Sequence, residues 1–284
     1  MPAVNAPTLV LSIAGLDPTA GAGILADIKT FAANQAYGLG CVSALTVQTT
    51  SGAASYRAVA AELLEAQLDA LLSELQPRAV KIGMLGSVAT VQAVVRQLER
   101  HPVAWTVLDP VDTASSGARL TDAAGWKAMK ESLLPRMSVV TPNLAEAAAL
   151  TGVDITKPAD MEMAAVRLHQ MGARYVVIKG GHWDKPVDLF YDGERATMLS
   201  ADRVRTDNTH GTGCTFSAAL AANLANGKPP LDAVVQAKAY LTAALKQSYA
   251  IGPGPGPVNH LYRLQEAPAS RNVDPAPAAE FTTR

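Results

Sequence analysis

The stretch TLVLSIAGLDPTAGAGILADIKTF, residues 8–31, contains the unit that decides the fold. Residues 8–14 are a short apolar run with β-branched members, which predicts a buried strand. A glycine-rich loop follows this run and opens a helix. The stretch therefore predicts a strand, a loop and a helix in immediate succession.

The same alternation recurs along the chain. Five further apolar runs predict buried parallel strands, at residues 41–47, 79–83, 105–109, 138–141 and 175–179. Apolar residues at helical spacing predict crossover helices at residues 57–75, 87–99 and 161–172. This pattern predicts an α/β fold with a mostly parallel central sheet, covered on both faces, whose ligands bind beyond the carboxyl ends of the strands.

The remaining segments complete the expected architecture. Residues 187–199 predict a hairpin that turns at Asp192 and Gly193, which adds an antiparallel edge. No linker-like change of composition separates residue 7 from residue 262, so a single domain is expected at residues 1–265. Residues 266–284 are rich in alanine, proline and polar residues without periodicity, and are expected to be disordered.

Composition and charge exclude several classes of protein. The formal net charge of the 284-residue chain is -1, and its basic residues are scattered, which argues against a surface for nucleic acid or anionic membrane. The N-terminus lacks a basic leader, and no apolar stretch approaches the ~18 residues of a membrane helix. A cytoplasmic protein is therefore expected. Cys41 and Cys214 lie far apart in the sequence and outside any paired cysteine motif, so no disulfide is predicted. Cys41 begins an apolar strand and is expected in the core.

A second glycine-rich stretch, NTHGTGCTFSAALAANLA at residues 208–225, runs into an alanine-rich helix. The backbone N–H groups of Gly211, Thr212 and Gly213 are expected to point at one spot, in front of the positive end of the helix dipole. Such a turn binds an anion. Cys214 would lie in the first helical turn, where the pKa of a thiol is lowered.

A tight turn before a buried helix is the alternative interpretation of this stretch, with Cys214 as a small core residue. Thr209, His210 and Thr215 favour the anion site, because a purely structural turn does not need so many hydrogen-bonding groups before an apolar helix.

The first glycine-rich loop does not match the common nucleotide motifs. Gly21 and Gly23 have dinucleotide-fingerprint spacing, but the loop before them is too long and no acidic residue ends the second strand. No lysine follows, so a Walker-type phosphate site is absent. Asp17 and Asp27 could be caps or dipole partners, and the substrate is expected near this loop.

Charged side chains follow three predicted strands. Asp109 ends one strand, and Glu146 forms a predicted capping pair with Asn143, which does not prevent it from holding a water on Mg²⁺ together with Asp109. Lys179 ends another strand before two glycines and is either a contact for the transferred phosphoryl group or an ordinary exposed lysine. Lys238 is a candidate neighbour of the nucleotide, whereas the role of Lys81 stays open.

With these residues assembled, the chain resembles the hydroxymethylpyrimidine/phosphomethylpyrimidine kinases of the ribokinase-like superfamily. The resemblance extends from about residue 8 to His260. It rests on motifs in the family's order: AGLDPTAGAGILADIKTF, YGLGCVSALTVQTT, VKIGML, LDPV, TPNLAEA, VIKGGH, THGTGCTFSAALAA, AKAYL and GPGPVNH. It implies a three-layer α/β/α ribokinase-like fold, ATP and Mg²⁺ as co-substrates, and a homodimer.

The resemblance also implies roles for individual positions. The residues that correspond to the family's pyrimidine pocket are Ala22, Asp27, Gln48, Met84 and Val111. Cys214 resembles the thiol that attends the hydroxymethyl group, and Gly211–Gly213 resemble the anion hole. Lys179 and Thr209 look like phosphate contacts of ATP. The positions that differ from the family's usual residues are Leu16, Thr19, Ala20, Asp112 and Ser115.

The resemblance implies ATP-dependent phosphorylation of 4-amino-5-hydroxymethyl-2-methylpyrimidine and of its monophosphate in thiamine biosynthesis. Two alternatives stay open from the sequence. One is a pyridoxal or pyridoxine kinase of the same superfamily, and the other is a non-catalytic protein that senses the pyrimidine.

Overall fold

A nine-stranded sheet forms the centre of the molecule, in a computed structural model that describes residues 6–113, 117, 119–181 and 186–265. The strands are β1 Thr8–Leu16, β2 Ala36–Thr49, β3 Gly52–Ala58, β4 Ala79–Ile82, β5 Trp105–Leu108, β6 Val139–Val140, β7 Tyr175–Ile178, β8 Val187–Tyr191 and β9 Ala196–Ser200. The helices are α1 Gly23–Ala33, α2 Ala61–Glu74, α3 Val88–Arg100, α4 Ala123–Ala128, α5 Leu144–Thr151, α6 Pro158–Gln170, α7 Thr212–Ala225, α8 Pro230–Lys246 and α9 Tyr262–Gln265.

The strands lie in the order β3-β2-β1-β4-β5-β6-β7-β8-β9. Strands β2, β1, β4, β5, β6 and β7 are parallel, while β3 at one edge and β8 and β9 at the other pair antiparallel. Buried side chains of α2, α3, α5 and α6 form one core against the sheet, and those of α1, α7 and α8 form a second core on the opposite face. The predicted three-layer fold is confirmed.

The predicted strands and helices are present. Strand β2 is longer than the predicted residues 41–47, one strand was missed, and one helix begins later than predicted. The hairpin is present, and the Asp192 carboxylate accepts the N–H groups of Glu194 and Arg195 in its turn. Strand β3 was not predicted, because its sequence GAASYRA lacks an apolar run and lies at a partly exposed edge. The predicted helix at residues 57–75 therefore begins too early, since residues 57 and 58 belong to β3 and α2 begins at Ala61.

Helix α7 is buried along nearly its whole length. Every residue from Thr215 to Ala225 is buried, and five of these eleven residues are alanine, whose small side chain lets the helix lie close to the sheet and to α8. The N-terminus of α7 consequently lies at the carboxyl edge of the parallel strands. This placement brings the second glycine-rich stretch to the ligand edge of the sheet.

Two further expectations concern membrane-spanning helices and the C-terminal tail. Among the described residues, no helix is both long enough and apolar enough to span a membrane. The expected disordered tail at residues 266–284 lies outside the described residues, as does Ser115.

Candidate active site at the carboxyl edge of the sheet

A cavity of about 800 Å³ opens at the carboxyl edge of the parallel strands. Its walls come from both glycine-rich stretches, from the ends of β2, β4, β5 and β7, and from α8. The predicted site residues that line it are Ala22, Gln48, Met84, Asp109, Val111, Glu146, Lys179, Thr209, Gly211, Thr212, Gly213, Cys214 and Lys238. All the predicted residues except Asp27 therefore meet around one space.

The turn at the start of α7 is packed too closely for a side chain. Gly211 has a φ of +77°, and a Cβ there would lie 1.8 Å from the carbonyl oxygen of Gly21. Glycine alone permits this conformation and this approach. The Thr212 N–H differs from our expectation because it donates to the Thr209 carbonyl, at 3.3 Å. Further amides of the first helical turn have no intrahelical acceptor and can bind an anion.

The first turn of α7 faces the charged ends of two strands. A Cβ on Gly213 would lie 3.2 Å from Lys179 Nζ and 3.6 Å from Asp109 Oδ2. The helix N-terminus, a lysine cation and a carboxylate therefore lie within contact distance of one another. An anion placed here would meet the helix dipole and the ammonium group together.

Cys214 contradicts the predicted effect of the helix on its thiol. Burial raises the pKa of Cys214 to about 11, and the Asp109 and Asp27 carboxylates raise it further, against the opposing effects of the Lys81 cation and a hydrogen bond from the Gly23 N–H. Loss of solvation thus outweighs the Lys81 cation and the Gly23 N–H, and the group is a neutral thiol near pH 7. The side chain is partly exposed and lines the cavity.

Asp27, expected among the pyrimidine-pocket residues, is the one predicted site residue that does not line the cavity. It is fully buried, and its carboxylate accepts hydrogen bonds from Lys81 Nζ at 2.8 and 3.0 Å and from the Ser12 hydroxyl at 2.6 Å. Lys81 is also fully buried but does line the cavity. Burial disfavours its charge, yet the nearby negative charges, with Asp27 first and Asp109 after it, together raise the pKa of Lys81. Asp27 therefore lies behind the cavity wall and supports Lys81.

The ends of β5 and β7 are joined by an ion pair. Lys179 Nζ lies 2.7 Å from Asp109 Oδ1, and the Thr141 hydroxyl also donates to that oxygen. Burial opposes ionisation of Asp109, but the charges of Lys179 and Lys81 together with the hydrogen bonds from Lys179 and Thr141 lower the pKa of the carboxyl group. Asp109 is therefore a carboxylate at neutral pH.

Glu146 has the predicted capping role. Its side chain accepts the Asn143 N–H at 2.8 Å while its own N–H donates to the Asn143 side chain at 2.9 Å, which completes a capping box. Burial raises the pKa of Glu146 to about 7, and the nearby Asp109 carboxylate adds to the effect.

The two carboxyl groups suit magnesium better than other metals. Mg²⁺ prefers oxygen ligands and takes one or two carboxylates together with water and phosphate oxygens. The described residues contain no cluster of three or more histidine, cysteine or acidic side chains that would indicate a closed metal site. Asp109 and Glu146 line the same cavity, so both carboxyl groups are open to a ligand. Asp109 and Glu146 therefore fit an open magnesium site.

A hydrogen-bonded pair that we did not predict joins the two glycine-rich stretches. His210 Nε2 lies 2.7 Å from Asp17 Oδ2, and Asp17 also accepts the N–H groups of Thr19 and Ala22. Burial opposes ionisation of Asp17, but the hydrogen bonds from His210 and Thr19 lower its pKa. His210 Nε2 also lies 3.3 Å from Gln48 Nε2. The sequence DPT at residues 17–19 is typical of a turn in which an aspartate bonds the backbone two residues later, but it does not indicate the partner.

The other end of the cavity is basic. Lys238 Nζ lies 2.7 Å from Asp188 Oδ2, and the second oxygen of Asp188 accepts the Gly180 N–H. Arg203 and Arg205 belong to the connection between β9 and α7 and line the same end, although sequence analysis did not select them. Isolated arginines outside a motif gave no signal for a site.

Comparison with known proteins gives a consistent assignment. The family model described as phosphomethylpyrimidine kinase matches residues 17–259. The hydroxymethylpyrimidine/phosphomethylpyrimidine kinase of Rhizobium meliloti is 46% identical over 260 residues, which cover 90% of this chain and 97% of the relative.

Two solved structures are similar along most of the chain. The pyridoxal kinase from Staphylococcus aureus in complex with AMP-PCP and pyridoxal has a TM-score of 0.82 and 37% identity, over 90% of this chain and 94% of that one. The phosphomethylpyrimidine kinase from Clostridium difficile 630 has a TM-score of 0.76 and 33% identity, over 84% and 100% of the two chains.

Proposed function

The chain belongs to the phosphomethylpyrimidine kinase family, and from this premise we propose that it phosphorylates 4-amino-5-hydroxymethyl-2-methylpyrimidine with ATP in thiamine biosynthesis. We propose that it then phosphorylates the monophosphate to the diphosphate. The observation that carries the proposal is that Gly211–Gly213 and Cys214 line the same cavity as Gln48 and Met84. A heterocycle and a transferred phosphoryl group can therefore meet beside the N-terminus of α7.

The pyrimidine ring is assigned to the part of the cavity formed by Ala22, Gln48, Met84 and Val111. Three of these side chains are apolar and cover the faces of a ring, while the Gln48 amide carries both a donor and an acceptor. Such an amide can pair at once with a ring nitrogen and the exocyclic amine. The hydroxymethyl group then points toward Cys214.

Cys214 holds the hydroxymethyl oxygen in this proposal. Because burial raises the pKa of its thiol to about 11, the side chain acts as a hydrogen-bonding group and not as a strong base. A strong base is not required, since phosphoryl transfer depends mainly on positioning and electrostatic stabilisation. The acceptor oxygen is thereby aligned with the γ-phosphate.

The triphosphate is assigned to the basic end, against Thr209, Lys179, Lys238 and the amides of the first turn of α7. Lys179 and these amides stabilise the negative charge of the transferred group. Asp109 and Glu146 would hold Mg²⁺, which when bound neutralises charge on the phosphate oxygens.

A pyridoxal kinase activity is the second candidate. The observation that favours it is the TM-score of 0.82 with the Staphylococcus aureus pyridoxal kinase, which exceeds the 0.76 of the Clostridium difficile phosphomethylpyrimidine kinase. A non-catalytic pyrimidine sensor is disfavoured because Asp109, Glu146, Lys179 and Cys214 all line one cavity.

Product analysis tests these assignments. We expect mass spectrometry after incubation with ATP, Mg²⁺ and the pyrimidine alcohol to detect the monophosphate and then the diphosphate. Pyridoxal is assayed in parallel, and faster turnover of pyridoxal would reverse the order of the two candidates. Absence of ADP release with either alcohol would leave the sensor as the function. Omission of Mg²⁺ is expected to abolish turnover.

We also propose that the kinase domain acts as a cytoplasmic homodimer. The family resemblance supports this assembly, and so do the exposed apolar side chains of Leu45 and Val47 on β2. Sedimentation equilibrium should give twice the 29.6 kDa mass of one chain. A monomer at micromolar concentration would contradict the proposal.

A further inference from the structure

The segment GPGPGPVNH, residues 252–260, follows α8 and contributes no residue to the cavity wall. It nevertheless contacts both structures that the proposed reaction must bring together. One is the turn between β2 and β3, directly after Gln48, and the other is the turn before α7. We call this segment the strap.

The first part of the strap packs against the turn between β2 and β3. The Gly254 N–H donates to Thr50 Oγ1 at 3.3 Å, and a Cβ on Gly254 would lie 2.1 Å from the Thr50 carbonyl oxygen. A Cβ on Gly252 would lie 2.5 Å from Thr50 Oγ1. The backbone can approach this closely only where no side chain intervenes. Thr50 is two residues from Gln48, so the strap fixes the end of the strand that carries the amide.

The second part of the strap packs against the turn before α7. The His210 N–H donates to the Gly256 carbonyl at 3.1 Å, and the Gly256 N–H donates to Asn208 Oδ1 at 3.0 Å. A Cβ on Gly256 would lie 2.5 Å from the same oxygen and 2.2 Å from the Tyr249 carbonyl oxygen. The backbone of His210, immediately before Gly211, is thus held from the strap side.

His260 holds the same turn from within the core. Its Nε2 lies 3.1 Å from Thr215 Oγ1, whose hydroxyl donates to the Gly211 carbonyl at 2.8 Å. The Tyr240 hydroxyl donates to the His260 carbonyl at 2.6 Å. These bonds fix the direction of the Gly211 peptide group, and with it the amides that follow.

We propose that strap residues 252–260 are positioning residues, which set the distance between Gln48 and the anion-binding turn Gly211–Gly213. This inference rests on the proposed function of the site, because it assigns the heterocycle to Gln48 and the phosphoryl group to the turn. A displacement of about 1 Å between reacting groups can lower a rate on the order of 10²-fold. A short connection without side chains is a direct way to limit such displacement.

Two alanine substitutions separate the two contacts. Gly254→Ala should push the Thr50 turn outward and so weaken the contact of Gln48 with the pyrimidine. We expect KM for the pyrimidine alcohol to rise about tenfold, while KM for ATP changes less than about twofold. Gly256→Ala should displace the turn before α7 and lower kcat on the order of 10²-fold. Equal changes in all the constants for both variants would indicate general destabilisation and overturn the proposal.

Gly227→Ala is the matched control. Gly227 follows α7 at its far end, has a φ of +87°, and a Cβ there would meet nothing within 4 Å. The variant should lose some thermal stability through backbone strain and keep both KM values and kcat. If Gly254→Ala does not fold, Thr50→Ala removes the hydrogen-bond acceptor together with a methyl group that packs on the strap, and should raise KM for the alcohol by a few fold. An unchanged KM in Thr50→Ala would then overturn the proposal.

Hydrogen exchange of the ligand-free protein tests the strap without any substrate. Faster exchange at residues 46–58 in Gly254→Ala and at residues 208–215 in Gly256→Ala supports the strap, even if the wild type fails to phosphorylate the pyrimidine. That failure would refute the proposed function alone. Faster exchange confined to residues 252–260 would overturn the strap and leave the proposed function intact.

Discussion

Replacement of Gly213 by aspartate tests the anion-binding turn directly. The position is helical and its Cβ would lie 3.2 Å from Lys179 Nζ and 3.6 Å from Asp109 Oδ2, so the new carboxylate would occupy the space assigned to the transferred phosphoryl group. Two like charges about 4 Å apart repel by roughly 4 kcal/mol at an effective dielectric constant of about 20. Since ~1.4 kcal/mol corresponds to a factor of ten, we expect kcat/KM to fall about 10³-fold.

Gly213→Asn is the matched control for this substitution. Asparagine has nearly the same shape as aspartate and no charge, so the ratio of the two kcat/KM values isolates the electrostatic effect. The assay is steady-state ADP release with the pyrimidine alcohol, together with thermal unfolding to show that both variants fold. Gly213→Asp with kcat/KM within tenfold of Gly213→Asn would refute the anion-binding role of the turn.

Three further outcomes follow from the site. Cys214→Ala should keep measurable turnover, since even a proton-transfer group contributes only ~10² to 10⁴ in rate and Cys214 acts through a hydrogen bond; complete loss in ADP-release assays would contradict this. Lys81→Met should lower the free energy of urea unfolding by about 3–5 kcal/mol by leaving Asp27 buried without its partner, and adding Asp27→Asn should restore part of it. Burial lowers the pKa of His260 to about 3, so its neutral form contributes stability that is complete above pH 6.5 and falls as pH decreases toward 3. From pH 6.5 to 4.5 the wild type should lose about 2 kcal/mol more than His260→Gln in urea titrations, and equal losses would refute the assignment.

Local patterns in the sequence were sufficient for most of the fold. A buried parallel strand is apolar throughout, so the runs at β1, β4, β5 and β7 are visible without any partner. Strand β3 has no such run, because it pairs at the edge of the sheet and is partly exposed. Its position depends on the antiparallel pairing with β2, which a single segment cannot show.

The positions of the site residues were more predictable than their environments. Glycine-rich turns and charged strand ends are local features, and the site residues selected from them line the cavity, as do the pocket residues that the family resemblance implied, except Asp27. The ionisation of Cys214 depends instead on how deeply the first turn of α7 is buried. Likewise, Asp17 and His210 are 193 residues apart in the chain, and only the folded structure brings them into contact.

The loop before α1 contains an alanine, Ala20, in an unfavourable backbone conformation. Ala20 has a φ of +59°, a conformation that residues other than glycine rarely adopt. The Asp17 carbonyl accepts the Ala20 N–H at 2.9 Å, and the Ala20 carbonyl accepts Lys29 Nζ. These bonds hold the backbone in a conformation that the methyl group opposes.

Because the two cysteine thiols have different surroundings, alkylation of the wild-type chain can report whether the cavity is occupied. Cys41 is 3% exposed, inside the core, whereas Cys214 faces the cavity, and the chain contains no other cysteine. A small alkylating reagent should therefore label one site per molecule, slowly because the thiol is largely protonated. Any compound that fills the cavity should shield that site from alkylation. Intact-mass measurements can therefore rank candidate substrates without mutations and without turnover.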